Sequence, residues 1–315
     1  MNTPSGVSIL LGTGNKLYPF KPGTRITLPY AGCLVTGDLN GDGIPDLLVP
    51  SNGTVVAFLG NGDGTFTQKS VTSTPTGGYL ALGDFNHDGK LDFATSGNLI
   101  ALGNGDGTFQ TPANIVANVP VGGFTNIAAG NLTGSGWTDL VLTNFLDSYI
   151  YVLLNNQQGS FTQNVIHATY DGTGVGPTQV FLVDLTGSGN VDLVVAEGYI
   201  GGAVVYFGNG KGSFKFGEQM FPAVDTSATS SVIAVQDVNG DGVPDLIMTQ
   251  GGGGSTLGVF LGKGGGEFQS PFYIGAGPSP GDLVLENLHG QATGFTDIVA
   301  PDVTGGVMVL INNTK

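Results

Sequence analysis

Six copies of one short pattern divide this chain, so it is built from a repeated structural unit. They read "GDLNGDGIPDLLV" (37–49), "GDFNHDGKLDFAT" (83–95), "GNLTGSGWTDLVL" (130–142), "VDLTGSGNVDLVV" (183–195), "QDVNGDGVPDLIM" (236–248) and "LHGQATGFTDIVA" (288–300). If the first aspartate of the first copy, Asp38, is place 1, every copy has Gly at place 6: Gly43, Gly89, Gly136, Gly189, Gly242 and Gly294. Every copy also has Asp at place 9: Asp46, Asp92, Asp139, Asp192, Asp245 and Asp297. Successive glycines lie 46, 47, 53, 53 and 52 residues apart. A second element alternates with the first: "VVAFLGNGDGTF" (55–66), "IALGNGDGTF" (100–109), "VLLNNQQGSF" (152–161), "VVYFGNGKGSF" (204–214) and "VFLGKGGGEF" (259–268). Asn-Gly and Asp-Gly tolerate positive φ and mark tight hairpins.

One repeat therefore reads strand, acidic loop, strand, short turn, strand, glycine turn, strand. Four short strands in about 50 residues make one propeller blade, and stacked blades bury the faces that a single sheet would leave open. The expected fold is an all-β propeller of four-stranded blades forming one domain over 1–315, with six blades and seven as the alternative. "VSILLGTGNKLYPF" (7–20) supplies an extra third-and-fourth strand pair, and "VMVLINN" (307–313) ends the chain on a third strand. The strands of 7–30 are expected to close the ring with the last blade. The phenylalanines after the glycine turns, Phe66, Phe109, Phe161, Phe214 and Phe268, are expected to wedge between blades. With 56 glycines among 315 residues, long helices are disfavoured.

The acidic loops carry the chemistry. In "DLNGDGIPD" oxygen donors recur at places 1, 3, 5 and 9, and the glycine at place 6 permits a sharp turn. Bare carboxylates this close repel by roughly 1–4 kcal/mol per pair, and a divalent cation reverses that sign. Asp38, Asn40, Asp42 and Asp46, with the backbone carbonyl of Ile44, make one expected Ca²⁺ site. Asp84, Asn86, Asp88, Asp92 and the Lys90 carbonyl make a second, and Asp237, Asn239, Asp241, Asp245 and the Val243 carbonyl a third. The loop of Asp184, Thr186, Ser188, Asn190 and Asp192 replaces carboxylates by neutral hydroxyls and is a weaker, fourth candidate. The loops at 131–139 and 289–297 keep one carboxylate each, and are expected to hold their turns by hydrogen bonds alone. The opposing reading of any single copy is a solvated Asp/Gly turn.

The alternation of "DxNxDGxxDLLV" with "LGNGDGTF" resembles the FG-GAP/VCBS repeats of integrin-type β-propellers, over nearly the whole chain. The resemblance implies a ring fold, calcium in the loop joining the first two strands of a blade, and an extracellular setting. The substitutions in the third, fourth and sixth loops depart from that pattern.

Net charge is −15, with Arg25 as the one arginine beside eight lysines, so nucleic acid and anionic lipid are not expected partners. No apolar run reaches membrane-spanning length, and the first residues do not read as a signal peptide. Cys33, the single cysteine, excludes an internal disulfide framework and is expected as a small buried residue on an apolar strand. His87 is expected as a solvated turn residue, and Trp137 as a packing residue. His167 and His289 stand apart from any metal or catalytic motif, and Glu197 with Asp192 is the one acid pair to consider for catalysis. The expected function is a secreted, cell-surface or periplasmic calcium-binding module for a carbohydrate or protein ligand, either a monomer or part of a larger chain. The alternatives are a propeller domain of a polysaccharide lyase or hydrolase and a spacer in a larger surface protein.

Overall fold

The computed structural model describes residues 6–12, 20–75, 78–116, 122–158, 160–170, 173–174, 176–198, 202–220, 233–249, 256–276, 283–286, 296–301 and 307–310. These residues form strands, bridges and turns, without a helix. Each described repeat folds as an antiparallel sheet in chain order. Strands Val35–Gly37, Asp46–Ser51, Thr54–Gly60 and Phe66–Ser73 make the first. Strands Leu80–Gly83, Asp92–Thr95, Leu99–Ala101 and Ala113–Asn114 make the second. Phe124–Gly130, Asp139–Asn144, Tyr149–Asn155 and Phe161–His167 make the third. The fourth runs through Pro177–Val183, Asp192–Glu197, Ala203–Gly208 and Phe214–Met220, and the fifth through Ile233–Gln236, Asp245–Thr249, Thr256–Phe260 and Phe272–Gly275. Val284–Glu286, Asp297–Pro301 and Val307–Leu310 form a three-stranded sheet, so the chain's last described strand is a third strand, as expected. Gly6–Gly12 pairs with Phe20–Thr27 as a hairpin, the expected extra strand pair.

The chain divides into two compact units, one of Met1–Asn131, Ser135–Leu142 and Tyr151–Asn164, the other of Leu132–Gly134, Thr143–Ile150 and Val165–Lys315. In the first five sheets the second strand is buried along its whole length, on both faces, which is why it reads as an apolar run. Side chains alternate between the two neighbours with the period of two that a strand imposes. In the first unit Leu47, Val49, Val56 and Phe58 pack with Leu28 and against Val7, Ile9 and Ile26 around the hairpin. Leu48, Val55 and Ala57 point the other way and pack with Leu80, Phe93 and Ala101 of the second sheet. In the second unit Leu246, Met248 and Phe260 pack with Val194, Ala196 and Val205 of the fourth sheet. Ile247, Leu257 and Val259 face Ile298.

Two of the expected wedges sit at such seams: Phe109 against the core shared by the first two sheets, and Phe268, 8% exposed, in the core shared by the fourth and fifth. Phe109 meets Phe93 edge to face at 4.8 Å, and Phe161 meets Phe85 likewise at 6.2 Å.

Candidate metal centre

Each acidic loop joins the first strand of a sheet to the second, and its place-9 aspartate opens the second strand: Asp46 pairs with Gly37, Asp92 with Gly83, Asp192 with Val183 and Asp245 with Gln236. Asp46, Asp92, Asp139, Asp192, Asp245 and Asp297 are buried, each at most 1% exposed. Asp46 takes the amide of Leu39 on Oδ2 and that of Gly60 on Oδ1, both at 2.8 Å. Asp92 takes Phe85 and Gly103 at 2.8 and 2.7 Å, Asp192 takes Leu185 and Gly208 at 3.0 and 2.8 Å, and Asp245 takes Val238 and Gly262 at 2.9 and 2.7 Å. This side chain thus latches the start of its own loop to the end of the third strand. The third loop keeps the bond to the end of the third strand without a full carboxylate set: Asp139 accepts from the Asn155 amide at 2.8 Å.

The latch fixes a further residue. At Gly60, Gly103, Gly208 and Gly262 a Cβ would lie 1.9–2.4 Å from the place-8 carbonyl of Pro45, Leu91, Val191 or Pro244. Only glycine fits there while the carbonyl stays put. The third sheet solves the same problem differently. Asn155 stands at that position, buried, and its side-chain amide donates to the Thr138 carbonyl at 3.2 Å and the Phe85 carbonyl at 2.8 Å. The reading of the sequence missed this position; the signal was "LLNN" where the other copies read "LGN", "FGN" or "LGK". The Phe85 carbonyl is at place 2 of its loop, and the equivalent carbonyls are used alike. Leu39 accepts from the Gly107 amide at 3.2 Å and Leu185 from Gly266 at 3.1 Å. The acidic loop of one sheet is therefore bonded to the glycine turn of the next.

Places 1, 3 and 5 lie toward solvent and fold the loop onto itself. Asp38 accepts from the amides of Gly41, Asp42 and Gly43 at 2.7, 3.1 and 2.8 Å. Asn40 accepts from Asp42 at 3.1 Å, and Asp42 from Ile44 at 2.8 Å. Asp237, Asn239 and Asp241 repeat this with Gly240, Asp241, Gly242 and Val243 at 2.7–3.2 Å. Asp84, Asn86 and Asp88 repeat it with Asp88, Gly89 and Lys90 at 2.8–3.1 Å. In the fourth loop Asp184 accepts from Ser188 and Gly189 at 3.1 and 2.7 Å, Ser188 Oγ accepts from the Asn190 amide at 3.2 Å, and the Thr186 hydroxyl donates toward Asp184 and Ser188. Amides pointing at Asp38 hold its carboxyl below the usual range, led by that of Gly43. Burial raises Asp92 and Asp245, and the like charges at Asp88 and Asp84, or Asp241 and Asp237, add to it.

Among the described residues, no three His, Cys, Asp or Glu side chains gather in a ready metal cluster. The donors still suit a hard cation. All are oxygens, and a carboxylate oxygen accepting one amide keeps a second lone pair. Lys90 reaches Asp88 at 3.8 Å, but no described cationic side chain is within ion-pair reach of Asp38, Asp42, Asp237 or Asp241. Of the sixth loop, only Thr296 and Asp297 are described, and His289, Gln291 and Thr293 lie outside the described residues.

Two expectations are corrected. Cys33 is exposed rather than buried, because the segment before the first strand runs over the surface. His87 is an exposed turn residue as expected, and it also stacks on Trp137, 4.8 Å between centroids, joining the second loop to the third. Asp192 and Glu197 cannot act as a pair, because they open and close the same strand. Glu197 belongs instead to a buried polar group that the sequence did not reveal. It is 1% exposed, accepts from Gln219 Nε2 at 2.8 Å, and is raised by burial to about 7. The buried hydroxyl of Tyr206, itself raised by burial and by the Glu197 charge, has no described hydrogen-bond partner.

Blade-like sheets tied by repeated Asp latches define a β-propeller. A family model described as an FG-GAP-like repeat matches residues 38–95, 131–195 and 184–248, more than half of the chain, and the chain belongs to that family. Among solved structures it is similar to an Agrocybe aegerita lectin that recognises non-reducing terminal N-acetylglucosamine, at 20% identity and TM-score 0.66, covering 98% of this chain and 89% of that one. It is also similar to a protein from Lactobacillus plantarum, at 17% identity and TM-score 0.61, covering 98% and 96%. No curated protein matches it in sequence.

Proposed function

We propose that this chain is a calcium-binding module of a secreted or cell-surface protein, with a neutral carbohydrate as its ligand. The observation that carries this reading is the commitment of the recurring aspartates to the frame. Asp46, Asp92, Asp192 and Asp245 accept backbone amides at both oxygens, and Asp139 accepts that of Asn155, so they act as joints rather than as acid–base groups. Glu197, the acid held near neutrality, is sealed from solvent against Gln219. Such a frame presents surfaces for binding rather than a catalytic constellation. Asp38, Asn40, Asp42 and Asp46, and their counterparts at 84–92 and 237–245, would hold Ca²⁺, which when bound offsets the loops' charge. The 184–192 loop would hold it more weakly. Similarity to a lectin along nearly the whole chain supports a sugar as the ligand class. A net charge of −15 disfavours polyanionic ones.

The test is a glycan array probed with calcium-loaded protein, alongside turnover assays on pectate and alginate. Binding to neutral glycans with no turnover is expected; cleavage of either polyuronate would overturn the reading in favour of an enzyme.

A further inference from the structure

A cleft of about 300 Å³ lies in the first unit, at the end of the first sheet opposite its acidic loop. Tyr30, Cys33, Ser51, Asn52 and Tyr79 line it, with small backbone neighbours and no charged side chain. Its size is at the lower end of the range for small-ligand pockets, roughly 300–1,000 Å³. Tyr30 is the anomaly. Its φ is +54°, in the left-handed region, and its side chain is 74% exposed. A bulky residue there is strained, and a ring in water gains no packing in return. The surroundings hold it in place: the Gly32 amide donates to the Pro50 carbonyl at 2.9 Å, and Ser51 Oγ donates to the Pro29 carbonyl at 2.5 Å. Tyr79 is fixed by two bonds to Ser96, its amide to Oγ at 3.0 Å and its carbonyl from the amide at 2.9 Å. Asn52, exposed in the hairpin turn, leaves its side-chain amide without a described partner.

We infer that this cleft binds one neutral pyranose ring, with Tyr30 and Tyr79 offering aromatic faces to the sugar's C–H groups and the Asn52 amide offering hydrogen bonds to its hydroxyls. The inference rests on the carbohydrate reading above. Tyr79 stands five residues before place 1 of its loop, and the equivalent positions hold Cys33, Asn126, Gln179, Val232 and Val284. The site is therefore single, not one per repeat.

Cys33, exposed in the cleft and the only thiol in the chain, reports on occupancy. Calcium-loaded protein is titrated with N-acetylglucosamine and a panel of neutral methyl glycosides, and alkylation of Cys33 by iodoacetamide is timed with and without the tightest of them. One sugar per chain is expected, slowing alkylation several-fold. Tyr30→Ala and, independently, Asn52→Gly, which keeps the positive φ of the turn, should each weaken binding about tenfold, the scale of one lost contact, without moving the melting temperature. Sugar binding that leaves alkylation and both variants unchanged overturns the cleft while the carbohydrate reading stands. Failure to bind any glycan on the array or in titration overturns the carbohydrate reading and this inference with it.

Discussion

Asp46 carries two demands on one carboxylate: its oxygens already accept the Leu39 and Gly60 amides, yet the loop's charge pattern asks it to face a cation as well. The third loop separates the two, because Asp139 keeps the latch where only one carboxylate remains. Hydrogen bonds to a buried charged acceptor contribute about 1.5–3 kcal/mol each, and truncation strands their donors. Asp139→Ala should therefore cost about 3 kcal/mol in urea unfolding, equally with calcium and with chelator. Asp46→Ala should cost a similar amount in chelator and more in calcium. Glu197 makes a separate prediction at this scale. Its folded value of about 7 lies above the ordinary 4.5, so the folded state holds a proton that the unfolded state releases between those values. Stability contributed by that proton is complete below about pH 4.5 and is lost as pH rises to about 7, on the order of 3 kcal/mol in all. Asp92 and Asp245, also raised by burial, add the same sign. The melting temperature should fall from pH 5 to pH 8 in the native protein and stay nearly level over that range in Glu197→Gln.

At the scale of the element, the glycine turn and the phenylalanine after it form one joint. Asn61 closes its turn through the Thr65 carbonyl at 3.0 Å and Oγ1 at 2.8 Å, and Asn104 closes its own with Thr108 at 2.9 Å in both bonds. The following Phe then enters the seam. Phe268→Ala, opening a cavity between the fourth and fifth sheets, should cost about 3–5 kcal/mol by denaturant unfolding. These elements were legible in the sequence because their signals are local: Asn-Gly turns, apolar runs, and aspartates repeating in phase with both. The strand order, the extra N-terminal pair and the inter-sheet wedges followed from them. The latch was not legible, because an aspartate that binds amides and one that binds a cation look alike in a motif. Glu197 with Gln219 was hidden for another reason. Their positions are 22 residues apart, and only the pairing of the third and fourth strands brings Gln219 opposite Val204, within reach of the end of the second. Cys33 misled because a short apolar stretch reads as a strand, whereas the strand begins at Val35.

Across the whole molecule, charge and calcium are one problem. Thirteen of the 24 acidic residues lie in the six loops, and three bound Ca²⁺ would take the formal charge from −15 to −9. A cation that binds only the folded chain stabilises it by mass action, about 2.7 kcal/mol per site at a hundred times Kd. Chelation should then lower the melting temperature markedly. On the proposed calcium reading, affinities of roughly 10⁻⁴–10⁻³ M are expected, the range of extracellular modules. The measurement that bears most directly on the account is calorimetric titration of chelated protein with Ca²⁺ at physiological salt. It should give three sites in that range, with a weaker fourth that disappears in Asp184→Asn. Fewer than three sites, or sub-micromolar affinity at all of them, would contradict it.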